Sequence, residues 1–362
     1  MIKILSLFSG IGAFEKALTR LGIKHEVINY CEIDKYASKA YSLIHNISED
    51  KNLGDITKVD ETKLDNFDLM TYAFPCQDIS VAGYKKGITE STRSGLLFEA
   101  LRILKHKKPK YAIAENVKSL VGKRFKGDFD NLLEKLDSYG YNNYWKVLNA
   151  KDFGIPQNRE RVFIISIRKD VDDGKFEFPE GQELAIRLKD ILEEQVEEKY
   201  YLSEKMLEKF YFNCKKNVVG EIDNCNFKQE RLVYSPEAYA PTITSLGSNK
   251  TIKILLCGNL DIKGNDQIKR VYNSEGIGPT LTTMGGGHRE PKIVEFNPNM
   301  RIRKLTPKEC WRLMGFDDED IQKCIDVRIS NTQLYKMAGN SIVVDVLEAI
   351  FNKLIKGVDT LI

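Results

Sequence analysis

Apolar positions in the first 170 residues follow two alternating rhythms. Ile2–Phe8, Val27–Cys31, Leu69–Phe74, Tyr111–Ala114, Trp145–Leu148 and Val162–Ile167 are short apolar runs of strand length. Between them lie segments with helical spacing: Gly12–Leu21, Lys35–Ile44 and Leu97–Leu104. A fourth carries Phe129, Leu132, Leu133 and Leu136 at i, i+3, i+4 and i+7. Such alternation predicts an α/β fold, a doubly wound and mostly parallel sheet with helices on both faces.

The rhythm stops near residue 175. Acidic residues crowd Glu177–Glu198, which reads as a surface helix or hinge. Residues 200–302 are rich in Gly, Asn, Pro and Thr, the composition of short strands and long loops. This stretch repeats itself. Val233-Tyr234-Ser235-Pro236-Glu237 followed by Pro241-Thr242-Ile243-Thr244 recurs 38 residues later as Val271-Tyr272-Asn273-Ser274-Glu275 followed by Pro279-Thr280-Leu281-Thr282. Two copies are too few for a solenoid and suggest two similar hairpin-like units in a smaller, loop-rich domain. Helical spacing resumes at Val343–Leu354, so the chain is expected to end back on the first domain. The division predicted is 1–175, 176–325 and 326–362.

Composition narrows the class. With 42% hydrophobic and 30% charged residues the chain is an ordinary globular one, and its apolar runs are too short to span a bilayer. The N-terminus enters a strand at once and lacks the layout of a signal peptide. Seven cysteines without a C-x-x-C pair and four scattered histidines argue against a disulfide framework and against a metal site, and fit a reducing, intracellular compartment. The net charge of +3 is too small for a general nucleic-acid coat, so any such surface is local. Arg270, Arg289, Lys292, Arg301, Arg303 and Lys304 suggest a positive patch in the C-terminal half.

Three short segments carry candidate chemistry. In Phe74-Pro75-Cys76-Gln77 a cysteine sits at the mouth of a strand beside a proline that stiffens the turn, which favours an exposed thiol over a packed one. Phe8-Ser9-Gly10-Ile11-Gly12 is a glycine turn between a strand and a helix, where a ligand can approach backbone N–H groups; without a P-loop lysine it disfavours a triphosphate. Glu32, at the end of strand two, stands where doubly wound folds place a carboxylate for ribose hydroxyls, and Asp55 is a second acid before strand three. From spacing alone, two surface acids near turns remain the alternative.

Together with Glu115-Asn116-Val117, Gln157-x-Arg159-x-Arg161 and Gly339-Asn340-Ser341, these segments occur in the order of the DNA cytosine 5-methyltransferases, which the chain resembles over nearly its whole length. Arg303-Lys304-Leu305-Thr306-Pro307 and Glu309-Cys310-x-Arg312-Leu313-Met314-Gly315 extend the likeness. The resemblance implies a bacterial or phage modification enzyme, cytoplasmic and monomeric, acting on double-stranded DNA. A cognate restriction endonuclease is an optional, separate partner. It implies S-adenosylmethionine as cofactor, leaving as S-adenosylhomocysteine, and no metal. Cys76 is the implied nucleophile toward carbon 6 of cytosine, Glu115 the group at N3, Arg161 the partner of the cytosine carbonyl, and Arg159 a further member of the catalytic set, meeting backbone. The cytosine must leave the stack to be reached. Phe8, Gly10, Gly12, Glu32, Ile33, Asp55, Ile56, Pro75, Asn340 and Ser341 are the implied cofactor contacts. A plain helix N-cap is the other reading of Asn340 or Ser341.

Ser80–Gly87 through Arg93 is the implied mobile loop over DNA. Gln267, Arg270, Thr280, Leu281 and the glycines Gly285, Gly286 and Gly287 match recognition loops. Ile33 departs from a stacking tryptophan, Ala13 from a third glycine, and Asp78-Ile79 from a small residue and an aromatic. Two other functions compete: the same chemistry on transfer RNA, and a non-catalytic DNA-binding protein on the same scaffold. A nicotinamide oxidoreductase accounts for the first domain only.

Overall fold

The computed structural model describes residues 1–75, 93–203, 210–212, 218–221, 232–234, 256–260, 269–274, 276–284, 290–295 and 301–355. Its larger sheet has six strands: β1 (Ile2–Leu7), β2 (His25–Cys31), β3 (Leu69–Tyr72), β4 (Tyr111–Val117), β5 (Tyr141–Asn149) and β6 (Glu160–Arg168). They lie in the order β2-β1-β3-β4-β6-β5. The first three neighbour pairs are parallel, and β6 runs antiparallel to both β4 and β5. The expected parallel sheet therefore covers four strands. The reversal has a local cause: helices link the parallel strands, whereas a short irregular link joins β5 to β6, too short for a crossover.

Alternation along the strands sorts side chains to two buried faces. Ile4, Leu69, Ile113, Phe163 and Ile165 join one apolar cluster, while Leu5, Leu7, Met70, Tyr72, Ala114, Val162 and Ile164 join another. Helices α3 (Leu97–Lys107) and α4 (Lys126–Ser138) cover the second face. Helix α1 (Ala13–Arg20) covers the first, together with four helices late in the chain: α5 (Pro307–Arg312), α6 (Asp318–Asp326), α7 (Asn331–Asn340) and α8 (Val344–Leu354). Helix α2 (Lys35–His45) lies beside α1 and α6. Phe14 meets Phe351 edge-on at 6.4 Å, and Arg20 pairs with Glu348 at 2.6 Å, so α8 packs on α1.

The smaller sheet has the order β13-β12-β11-β10-β7, with β7 (Phe210–Phe212), β10 (Leu256–Leu260), β11 (Arg270–Asn273), β12 (Lys292–Glu295) and β13 (Arg301–Lys304). A separate hairpin pairs β8 (Val218–Glu221) with β9 (Leu232–Tyr234). The sequence repeat is visible in the pairing. Tyr234, Val233 and Leu232 oppose Val218, Gly220 and Glu221; Tyr272, Val271 and Arg270 oppose Leu256, Gly258 and Asn259. Both hairpins skip one residue at the same place, the signature of a bulge.

Two sequence expectations are corrected here. The acidic stretch is not a helix: it runs as an extended strap with 3-10 turns at Leu188–Ile191 and Glu198–Tyr200. Its apolar Leu184, Leu188 and Ile191 are buried at i, i+4 and i+7, the spacing of a helix face, yet the chain meets the core there in extended and 3-10 conformation. Nor do the basic residues form one exposed patch. Lys292 and Arg303 are buried; Arg303 pairs with Glu309 at 2.8 Å, Arg301 with Glu198 at 2.6 Å and Lys304 with Glu290 at 3.6 Å. Arg270 is exposed, and Arg289 lies outside the described residues. No helix among the described residues is long and apolar enough to cross a membrane.

Candidate active site

All four parallel strands present their carboxyl ends at one edge of the sheet, and β6 starts there. The candidate residues follow from that geometry. The glycine turn leaves β1, Glu32 leaves β2, Phe74-Pro75 leaves β3, Glu115-Asn116-Val117 ends β4, and Arg159 and Arg161 open β6. Such strand ends are where doubly wound folds bind ligands.

The glycine turn is held tightly. Phe8, Gly10 and Gly12 have φ of 55°, 55° and 79°, left-handed values that Phe8 adopts at a cost glycine does not have. The Ser9 and Gly10 N–H groups donate to the Cys31 carbonyl at 3.1 Å and to Glu32 Oε2 at 2.9 Å. The other Glu32 oxygen accepts from Asp34 N–H at 2.7 Å. Burial raises the Glu32 pKa, and these two N–H groups oppose the rise. Asn52 braces the loop, taking the Glu32 and Gly54 N–H groups on its side-chain oxygen. Ile33 is 76% exposed at this edge. Asp34 caps α2 and pairs with Lys336 of α7 at 2.5 Å. Asp55 is a turn cap, accepting from the N–H and hydroxyl of Thr57, which lower its pKa; Ile56 beside it is buried.

At the other end of the edge, Arg161 Nε lies 3.0 Å from Glu115 Oε1. Antiparallel pairing sets Val117 opposite Arg161, which makes Glu115 its diagonal neighbour. Burial raises the Glu115 pKa, and Arg161 and then Arg159 pull it back. Asn116, next along, donates from its side-chain nitrogen to the Phe74 carbonyl at 3.0 Å. That bond fixes the residue two before Cys76. Cys76 itself, Gln267, Gly286, Gly287 and the loop from Ser80 to Gly87 lie outside the described residues, as does the side chain of Arg93. The described cysteines Cys31, Cys310 and Cys324 are buried, and burial pushes the Cys31 and Cys324 thiols up to about 12.

Arg159 serves a different purpose from Arg161. Its buried guanidinium donates to the carbonyls of Leu281, Gly339 and Ser341 at 2.9, 3.1 and 2.6 Å. It ties the start of β6 to the second repeat copy and to the end of α7. Gln157 adds a parallel tie, donating to the Leu313 carbonyl at 2.7 Å and accepting from Leu281 N–H. The Thr280 hydroxyl donates to the Asn158 carbonyl at 2.5 Å, so it too is used at this junction. A Cβ on Gly339 would meet the Thr282 carbonyl oxygen at 1.9 Å, which explains why that position has none. Neither Asn340 nor Ser341 caps α8; Asn340 is the exposed last residue of α7 and Ser341 its buried C-cap. Asn52 and Lys336 had no signal in the sequence, and Asn116, although part of the Glu115-Asn116-Val117 segment, had no assigned role, because each acts through a partner far along the chain.

Fold and site together define an enzyme of the S-adenosylmethionine-dependent methyltransferase fold. The profile of the C-5 cytosine-specific DNA methylases matches residues 2–356, and the chain belongs to that family. It is 36% identical over 493 residues to the orphan methyltransferase M.Rho11sI of Bacillus phage rho11s, covering 98% of each chain. It is 36% identical over 409 residues to the type II methyltransferase M2.ScrFI of Lactococcus lactis subsp. cremoris, covering 98% of this chain and 99% of that one. Among solved structures, S. pombe Dnmt2 methyltransferase superposes with a TM-score of 0.67 at 18% identity, covering 99% of both chains. Entamoeba histolytica methyltransferase EhMeth gives 0.69 at 17%, again over 99% of both. At that identity these two speak for the fold alone.

Proposed function

We propose that this chain methylates carbon 5 of a cytosine flipped out of duplex DNA, using S-adenosylmethionine and a transient bond to Cys76. The observation that carries the reading is the Glu115–Arg161 pair at 3.0 Å beside the Phe74 carbonyl that Asn116 clamps, because it sets an acid and a cation next to the chain entering Cys76.

The residues present suit the cofactor. Gly10 has open space where a Cβ would stand, Glu32 directly follows β2, and Gly12 caps α1 without a side-chain hydrogen bond, so the helix N-terminus suits an anionic group such as a carboxylate. Gly10, Gly12 and Glu32 would hold S-adenosylmethionine on the ribose and carboxylate side, with Phe8, Ile33 and Ile56 as apolar contacts, Asp55, Pro75, Asn340 and Ser341 around it. When bound it supplies an electrophilic methyl group.

Carbon 5 of cytosine is a poor nucleophile. The Cys76 thiolate adds to carbon 6 while Glu115 delivers a proton to N3, and the electron pair displaced from the 5,6 double bond becomes available at carbon 5. After transfer, a water molecule acting as base takes the carbon 5 proton, the C–H electron pair re-forms the 5,6 double bond and expels the Cys76 thiolate, and N3 gives its proton back to Glu115. A free thiol of pKa about 8.5 is mostly protonated near neutrality, so Cys76 needs the site's help. Burial keeps Glu115 protonated to higher pH than an exposed glutamate, which suits a proton donor. Arg161 orients Glu115 and reaches toward the cytosine carbonyl. Segment 200–302 chooses the sequence, and the outcome is DNA modification, in restriction-modification or phage self-protection.

A duplex with 5-fluorocytosine at the target cannot lose the carbon 5 substituent. It should trap the wild-type chain as a covalent adduct on Cys76 by intact mass, and Cys76→Ser should give none. A methylated but untrapped substrate would remove Cys76 as nucleophile. Transfer on transfer RNA but not on duplex DNA would favour the RNA reading.

A further inference from the structure

Helix α1 breaks the pattern of its own buried face. Ala13, Phe14, Ala17 and Leu18 are what an amphipathic helix turns toward a core, yet Glu15 is fully buried among them. Neither Glu15 oxygen nor the equally buried Tyr41 hydroxyl makes a well-aligned hydrogen bond among the described residues, although Glu15 and Ser6 both lie close enough to act on that hydroxyl. The two groups are neighbours: Glu15 stands in the first turn of α1, capped by Gly12, on which a Cβ would lie 2.9 Å from Tyr41 Cε2, and after burial the Glu15 carboxylate does most to raise the Tyr41 pKa. A buried carboxyl group without well-aligned partners opposes folding, and an apolar side chain would serve the helix better. Rules broken in this way concentrate where function requires it.

The glycine turn lies one ring further on. Tyr41 packs on His45 with ring centroids 4.8 Å apart and stacks on Tyr30 at 4.2 Å. His45 Nε2 is 3.0 Å from the Ile11 carbonyl oxygen. A carbonyl only accepts, so Nε2 carries the proton, and burial keeps the ring neutral by lowering its pKa. The N–H of the same peptide, that of Gly12, donates to the Ser9 carbonyl at 2.9 Å. The Ile11–Gly12 peptide is gripped from both ends. A Cβ on Gly12 would lie 2.1 Å from His45 Nε2 and 2.9 Å from Tyr41 Cε2, so the turn sits directly on the two rings.

We infer that Glu15, Tyr41 and His45 form a buried positioning unit for the cofactor turn. Glu15 orients Tyr41, Tyr41 fixes the His45 ring, and His45 sets the Ile11–Gly12 peptide against which S-adenosylmethionine lies. The inference rests on the reading of this turn as the cofactor site. None of the three touches the cofactor, so their loss acts on its affinity and leaves the chemical step alone.

The test measures S-adenosylhomocysteine binding by calorimetry, steady-state methylation and thermal unfolding for wild type, His45→Phe, His45→Gln, Glu15→Leu and Glu32→Ala. His45→Phe keeps a ring and removes the donor. It should raise the Kd for S-adenosylhomocysteine and the KM for S-adenosylmethionine about three- to tenfold, with kcat at saturating cofactor within about twofold. His45→Gln, whose amide can reach the carbonyl, should recover most of the loss. Glu15→Leu should melt no lower than wild type and still show the cofactor defect, which a purely structural role would not produce. Unchanged cofactor affinity in His45→Phe, or a parallel fall in Tm, kcat and affinity in both His45→Phe and Glu15→Leu, would overturn the inference. Glu32→Ala separates the two levels. If it keeps full affinity, the turn is not the cofactor site; if it loses affinity while His45→Phe does not, only the positioning unit fails.

Discussion

Replacing Arg161 by Gln leaves Glu115 buried without its cation, and the consequence depends on pH in a direction that can be worked out. The pair is close, 3.0 Å, and little exposed, with side-chain accessibilities of 16% and 10%. Removing one partner of a buried pair costs about 3–5 kcal/mol, because the remaining charge is uncompensated. Glu115 already has a raised pKa from burial, and the Arg161 guanidinium does most to hold it down. The variant therefore raises it further. A carboxyl group whose folded pKa exceeds its unfolded value stabilises below the unfolded pKa, and that contribution is lost as pH rises through the folded one. The penalty for Arg161→Gln should therefore be small in acid and grow toward neutrality.

Urea unfolding at pH 5 and pH 8 measures this directly. Each pKa unit that Arg161 holds down is worth about 1.4 kcal/mol. The Arg161→Gln penalty should be larger at pH 8 than at pH 5 by at least about 1 kcal/mol. In a Glu115→Gln background the same substitution should be nearly neutral and independent of pH, since nothing titrates. An equal penalty at both pH values, or one that survives in the Glu115→Gln background, would mean that the two residues are not electrostatically coupled and that Glu115 is not tuned by Arg161.

Glu115→Gln should lower the methylation rate by about a hundredfold or more, while DNA affinity measured by titration stays within about threefold, because the proton is needed in the transition state. Asn116→Ala frees the Phe74 carbonyl and should reduce single-turnover rate with little change in cofactor KM. Gly339→Ala forces a Cβ against the Thr282 carbonyl and should lose about 1–3 kcal/mol in urea unfolding, an overpacking penalty. Arg270→Ala should flatten discrimination at one base pair by about 1–3 kcal/mol if the exposed guanidinium reads a guanine; a uniform loss on all sequences with a shallower salt slope would assign it to phosphate.

The parallel part of the large sheet was legible because its inner strands β1, β3 and β4 are largely buried on both faces and read as apolar runs, with helical spacing between. The same signal finds Trp145–Leu148 and Val162–Ile167 as strands but misses that Val162–Ile167 runs against its neighbours, since an apolar run carries no strand direction. The acidic strap misled for a related reason: charge density describes what faces water and says nothing of the three aliphatics beneath. Basic residues were the least legible. Arg303 and Lys292 count as charges in a sequence, yet Arg303 is matched by Glu309, which also caps α5 by accepting from Thr306 N–H. A buried pair six residues apart looks like any two surface charges until the fold is known.

The site shows where sequence reasoning reaches its limit. Glu32 could be named in advance because strand ends in a doubly wound sheet are fixed by the order of elements, whereas Glu115 and Arg161 were named through the resemblance of their motifs to a known family. Of the residues that hold them, Asn116 and Arg159 stood in motifs of the sequence, but which distant groups they bind could not be read from it. Asn116 acts on Phe74, Lys336 on Asp34, and Arg159 on carbonyls more than a hundred residues away. Each of these is a polar side chain satisfying backbone or charge across the fold, a requirement set by burial. The Arg159 contacts also suggest how specificity and chemistry stay in register. One guanidinium, two residues before Arg161, joins the second repeat copy at Leu281 to the end of α7 at Gly339 and Ser341. A shift of the repeat segment cannot leave the catalytic strand end unmoved unless those bonds break.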